Sequence, residues 1–92
     1  MISAKNMDRV SVICHATVAN MFAMFCNEKY RGGNFTWDKF PKMMAGQCRD
    51  QVFMANIRGR VQEDVFEYAE KTGFDIAKRM IETAGFKNEQ KV

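Results

Sequence analysis

The residues with the most chemistry to offer are a single histidine, His15, and three cysteines, Cys14, Cys26 and Cys48. A structural zinc site needs four such ligands, usually supplied as closely spaced pairs, and this chain has no such pair. Cys14 and Cys26 stand twelve residues apart and face different sides if their segment is one helix. Cys14 and His15 are neighbours but not a nucleophile and its base, because adjacent helical residues point about 100° apart. No nucleophile elbow and no glycine-rich phosphate loop occurs. Glu63, Asp64, Glu67 and Glu70 read as an acidic helix start and a solvated face. The expectation is a protein without catalytic residues, metal or cofactor. Three widely spaced cysteines give no disulfide framework, and they suit a reducing, cytoplasmic setting.

Charge is more informative than the reactive groups. The chain carries a formal net charge of +3. Residues 1–28 are net zero, residues 29–60 are net +5 and residues 61–92 are net −2. The basic middle third also holds Tyr30, Phe35, Trp37, Phe40 and Phe53. Lysine and arginine neutralise phosphates, and aromatic rings can stack on bases. Within this third lies "RDQVFMANIRGR", residues 49 to 60. Its Arg49, Phe53, Asn56 and Arg60 are spaced i, i+4, i+7, i+11, which aligns them in one stripe on a helix. Phe53 is expected to be half-buried, with the polar members exposed beside it. The candidate partner-binding or nucleic-acid-binding set is Lys39, Lys42, Arg49, Asn56, Arg58 and Arg60.

Positioning that set requires helices. The chain contains one proline and six glycines, and no segment shows convincing strand alternation. A first helix is predicted from about Met7 to Lys29, capped by Asn6 or Ser3. Its large face carries Val10, Ile13, Cys14, Val18, Met21, Phe22, Met24 and Phe25. A second, small face carries Val12, Ala16, Ala19 and Ala23. A helix apolar on nearly every side is expected to be buried, so the small face is predicted to pack on another helix, within the domain or across a homodimer. Tyr30 to Asn34 read as a loop, part of a flexible segment at 30–35. A short helix follows, capped at Asp38 in preference to Thr36, with Pro41 in its first turn, and weakens near Gly46. Another begins at about Cys48, and Gly59 bends or ends it. The last helical region spans about Gln62 to Ala84, with Gly73 inside it or breaking it and Gly85 as C-cap. Residues 87–92 form a frayed tail. The predicted fold is all-α, a small single-domain bundle of about four helices over residues 1–92.

Residues 10 to 26 are apolar and follow Lys5 and Arg9, in the manner of a signal peptide. His15 and Asn20 interrupt the run and no small-residue cleavage site follows, so neither export nor a membrane span is expected. The core composition is unusual, with no leucine and with eight methionines and eight phenylalanines. Methionine packs adaptably and is over-used at promiscuous binding surfaces.

Two functional expectations follow. The first is a small non-enzymatic binder that docks its basic face on nucleic acid, or on the nucleic-acid-binding groove of a nucleoprotein complex. In general profile, though in no motif, such a chain resembles small phage-encoded host-takeover and anti-defence proteins, anti-CRISPRs among them. The second is a dimeric DNA-binding regulator. "YAEKTGFDIAKRMIETAGF" resembles a helix-turn-helix, with Ala69 before a turn at Gly73. It departs from that pattern where Arg79, then Glu82 and Thr83, occupy positions that should be apolar.

Overall fold

The computed structural model describes residues 1–27 and 35–85, and all of its regular elements are helical. Three α-helices make up the fold: α1 (Ala4–Cys26), α2 (Phe40–Met54) and α3 (Gln62–Ala84). A single 3-10 turn, Trp37–Lys39, leads into α2. The all-α expectation holds, with three α-helices in place of about four. The difference lies at Gly46. The predicted weakening there does not occur, and Phe40–Met54 is one helix. A helical glycine costs only about 1 kcal/mol relative to alanine. Burying Met44 and Val52 on either side outweighs that, at about 1.5–3 kcal/mol for each large apolar side chain.

Each helix buries a row at every fourth residue. In α1 the row is Asn6, Val10, Cys14 and Val18. Phe40, Met44, Cys48 and Val52 form the row of α2. Val65, Ala69, Gly73 and Ala77 form that of α3, with Ile76 beside it. The three rows meet at a hub of small groups. The Cys14 thiol donates to the Ala69 carbonyl at 3.6 Å, and the Cys48 thiol lies 4.0 Å from the Cys14 carbonyl. Gly73 permits the close approach of α2 and α3: a Cβ there would stand 2.6 Å from Cys48 Sγ and 2.8 Å from the Met44 carbonyl oxygen. α3 therefore runs unbroken through Gly73, and the turn that a helix-turn-helix would need at that position is absent.

The chain goes up, down and up. At one end Phe22 and Phe25 of α1 meet Phe35, Trp37 and Phe40 in a cluster with ring centroids 4.9–6.0 Å apart. At the other, the side-chain amide of Asn6 donates to the Arg58 carbonyl at 2.9 Å. Gln62 closes the α2–α3 connection from both sides. Its amide nitrogen donates to the Ile57 carbonyl at 3.0 Å, and its amide oxygen accepts from Gly59 N–H at 3.2 Å.

Several boundaries differ from the sequence reading. Ser3, one of the two expected caps, accepts from Asn6 N–H at 3.2 Å, so α1 begins three residues early. Thr36, not Asp38, stands at the start of the helical segment, as N-cap of the 3-10 turn. Pro41 does fall in the first turn of α2. Gly85, at φ 82°, ends α3 as expected. The expected loop at Tyr30–Asn34 and the tail at 87–92 lie outside the described residues.

The small face of α1 does not pack on another helix among the described residues. Val12, Ala16, Ala19 and Ala23 are exposed, with Val12 at 69%. They point nearly opposite to the Val10–Cys14–Val18 row, at about 100° per residue, and one buried row satisfies α1. By length and composition α1 is also long and apolar enough to cross a membrane, a test that core helices of soluble proteins pass as well.

Candidate functional site

The stripe predicted in residues 49–60 does not form. α2 ends at Met54, because Asn56 adopts a left-handed conformation at φ 59°. Asparagine tolerates that region better than most residues. Arg49 and Phe53 remain on α2, while Asn56, Arg58 and Arg60 belong to the connection that follows.

The basic set is thus strung along an edge. Lys39 and Lys42 stand at the start of α2 and Arg49 in its middle, and Arg58 and Arg60 lie beyond its end. A fifteen-residue helix spans roughly 22 Å, so the two ends cannot act on one small anion. All five cationic side chains belong to exposed residues. Arg49 is engaged locally: its Nε lies 3.6 Å from Glu70 Oε2, and its guanidinium sits 5.3 Å from the Phe66 ring centroid. Both members of that ion pair are about half exposed, so the pair adds little to stability. Among the described residues, the side chains of Lys42, Arg58 and Arg60 have no ion-pair partner.

The aromatic residues divide differently from the expectation. Trp37 and Phe40 are buried in the terminal cluster and cannot stack on a base. Phe35 is half-buried against Phe25. Tyr30 lies outside the described residues. Phe53 is 64% exposed, not half-buried, and its neighbour Met54 is 75% exposed. These two apolar side chains sit between the cations of α2 and those of the connection.

The thiols are a structural feature. Cys14 and Cys48 are buried and Cys26 is exposed, all three free. Its hydrogen bond with Cys48, and then burial, push the Cys14 thiol far above the ordinary thiol range. A thiol held protonated in this way is a poor nucleophile. No group of three or more His, Cys, Asp or Glu side chains among the described residues could hold a metal ion.

One feature was missed by sequence reasoning. A cleft of about 450 Å³ opens between α1 and the C-terminal half of α3, lined by His15, Phe22, Ile76, Arg79, Met80, Thr83 and Ala84. Its signal was present: Arg79 and Thr83, four apart, are among the polar residues that spoil the helix-turn-helix pattern. Only the pairing of α3 with His15 of α1 was beyond reach.

Fold and surface together define a small three-helix protein with a basic edge. Comparison with protein-family models, with curated proteins and with solved structures finds no match.

Proposed function

We propose that this is a small non-enzymatic binding protein that docks the basic edge of α2 and the α2–α3 connection on nucleic acid, or on the nucleic-acid-binding groove of a nucleoprotein complex. The observation that carries the reading is the solvent-facing line of Lys42, Arg58 and Arg60, unpaired among the described residues, with exposed Phe53 and Met54 between them. A stretched array of cations suits a polyanion better than a compact anion. An exposed ring adds a stacking surface that is indifferent to base identity. Size, methionine content and charge map fit an inhibitor of host machinery of the phage-encoded, anti-CRISPR kind, working in the cytoplasm.

Affinity capture from a cell lysate, with and without nuclease, separates a nucleic acid from a protein partner. Binding should then weaken with salt. Replacing Arg58 and Arg60 together by alanine should lower the slope of log affinity against log salt by about 1.4–1.8, at about 0.7 per single-strand contact and 0.9 per duplex contact. Folding stability should stay within about 0.5 kcal/mol, since both residues are exposed. An unchanged affinity and salt slope in that variant would sink the proposal.

A further inference from the structure

The cleft between α1 and α3 is remote from the connection that carries Arg58 and Arg60, at the opposite end of α3 from Gln62. Its floor is apolar: Ile76 is buried, and Phe22 and Met80 are half-buried. Its rim is polar. Arg79 and Thr83 are exposed on successive turns of the same helix, and His15 is exposed on α1. His15 Nδ1 lies 2.8 Å from the Ser11 carbonyl oxygen, so that nitrogen carries the hydrogen and donates, which fixes the ring at the rim. Among the described residues, the Arg79 side chain has no hydrogen-bond or ion-pair partner. Asp75, Lys78 and Glu82 line a separate hollow on the other side of Arg79 and do not line this cleft.

We propose that this cleft binds an organic carboxylate with an extended apolar body, a medium-chain acyl anion being the simplest member of the class. The carboxylate takes the planar donor fork of Arg79 and the hydroxyl of Thr83, which side by side on α3 match its two oxygens. The acyl chain lies along Phe22, Ile76 and Met80, where the pliable thioether of Met80 adapts to its shape. A cleft of this size, apolar with a few convergent polar groups, has the composition of small-ligand sites. An amine with the same body would meet Arg79 unfavourably, and a carboxylate without the body would leave the floor wet. The inference is independent of the basic edge and stands or falls without it.

The protein contains its own reporters. His15 is its one histidine and Trp37 its one tryptophan. Trp37 packs on Phe22 with ring centroids 5.2 Å apart, so occupancy of the cleft is felt at the indole. The experiment titrates the full chain with octanoate, acetate and octylamine, following the His15 ring protons by NMR and Trp37 by fluorescence. Octanoate should shift both signals saturably, with acetate and octylamine at least about tenfold weaker. Arg79→Gln should weaken octanoate binding about tenfold or more, the loss expected for a charge-assisted hydrogen bond, while circular dichroism stays native. Arg79→Lys should retain part of the affinity. Should Arg79→Gln fail to fold, Thr83→Val takes its place, with a severalfold loss expected. The proposal is overturned by the absence of a saturable shift, by octylamine binding as tightly as octanoate, or by folded Arg79→Gln or Thr83→Val binding octanoate like the parent.

Discussion

Two helices of this protein carry rows of small residues at helical spacing, and among the described residues only one row is covered. On α3, Ala69, Gly73 and Ala77 are buried against the other helices. On α1, Val12, Ala16, Ala19 and Ala23 face away from them. The difference lies in what shares the face. The α3 row continues Val65 and adjoins Ile76, so it belongs to the sector that the hydrophobic effect pulls inward. The α1 row lies opposite Val10, Cys14 and Val18, which already anchor that helix. Alanine is also the strongest helix former, so an exposed alanine row stabilises α1 without touching anything. A small-residue row permits close approach but does not compel it.

The largest expected effect tests the covered row. In Gly73→Ala the new methyl meets Cys48 Sγ at 2.6 Å, Cys48 Cβ at 2.9 Å and the Met44 carbonyl oxygen at 2.8 Å. The last is backbone and cannot rotate aside. Helix propensity would favour alanine by about 1 kcal/mol, yet overpacking should leave the variant less stable by about 1–3 kcal/mol. For a chain this small the melting temperature should fall by about 4–8 °C for each kcal/mol. Adding Cys48→Ala removes the sulfur but leaves the carbonyl and Cβ contacts, so a double-mutant cycle should show partial rescue. A melting temperature equal to or above the parent's would break the contrast at its strong end.

The opposite sign is expected at Gly46, which is also mid-helix. A Cβ there meets nothing within 4 Å. Gly46→Ala should therefore stabilise the protein by about 0.5–1 kcal/mol, through a smaller backbone entropy loss on folding. Thermal unfolding of the two alanine variants side by side would display the difference between a glycine required by packing and one that packing ignores. A lower melting temperature for Gly46→Ala would mean that something covers this face of α2.

These two glycines also show how far the sequence could be read. Both stand singly with one apolar and one polar neighbour, and local chemistry treats them alike. Periodicity was enough for an all-α fold, for the Val10–Cys14–Val18 row, for Pro41 in a first turn and for Gly85 as a cap, because each depends on residues within a few turns. It was not enough for continuity at Gly46, for the contact that fills Gly73, or for the left-handed Asn56 that ends α2 and dissolves the Arg49–Arg60 stripe. The candidate basic residues were identifiable as exposed because charge resists burial. Their arrangement depended on where α2 stopped, and that was set by Asn56, by Asn6 reaching across to Arg58, and by Gln62 closing the connection. The bond from Asn6 to Arg58 is long-range and no short-range pattern encodes it, while the two bonds of Gln62 are local but belong to no regular element.

The smallest expected effect tests the bare row. Ala19→Phe places a large ring on a face that is open among the described residues. For an exposed position the cost should be about 0.5 kcal/mol, made up chiefly of the poorer helix propensity of phenylalanine. The melting temperature should move by only a few degrees, independently of protein concentration, and sedimentation should be unchanged. A second copy packed across Val12, Ala16, Ala19 and Ala23 gives a different result. The ring would then overpack a close helix contact, stability would fall by about 1–3 kcal/mol or the dimer would dissociate, and the parent's melting temperature would itself rise with concentration. Concentration-dependent melting of the parent protein, abolished in the variant, would turn the bare row into a covered one. The contrast between the two helices would then be one between packing within the chain and packing between chains.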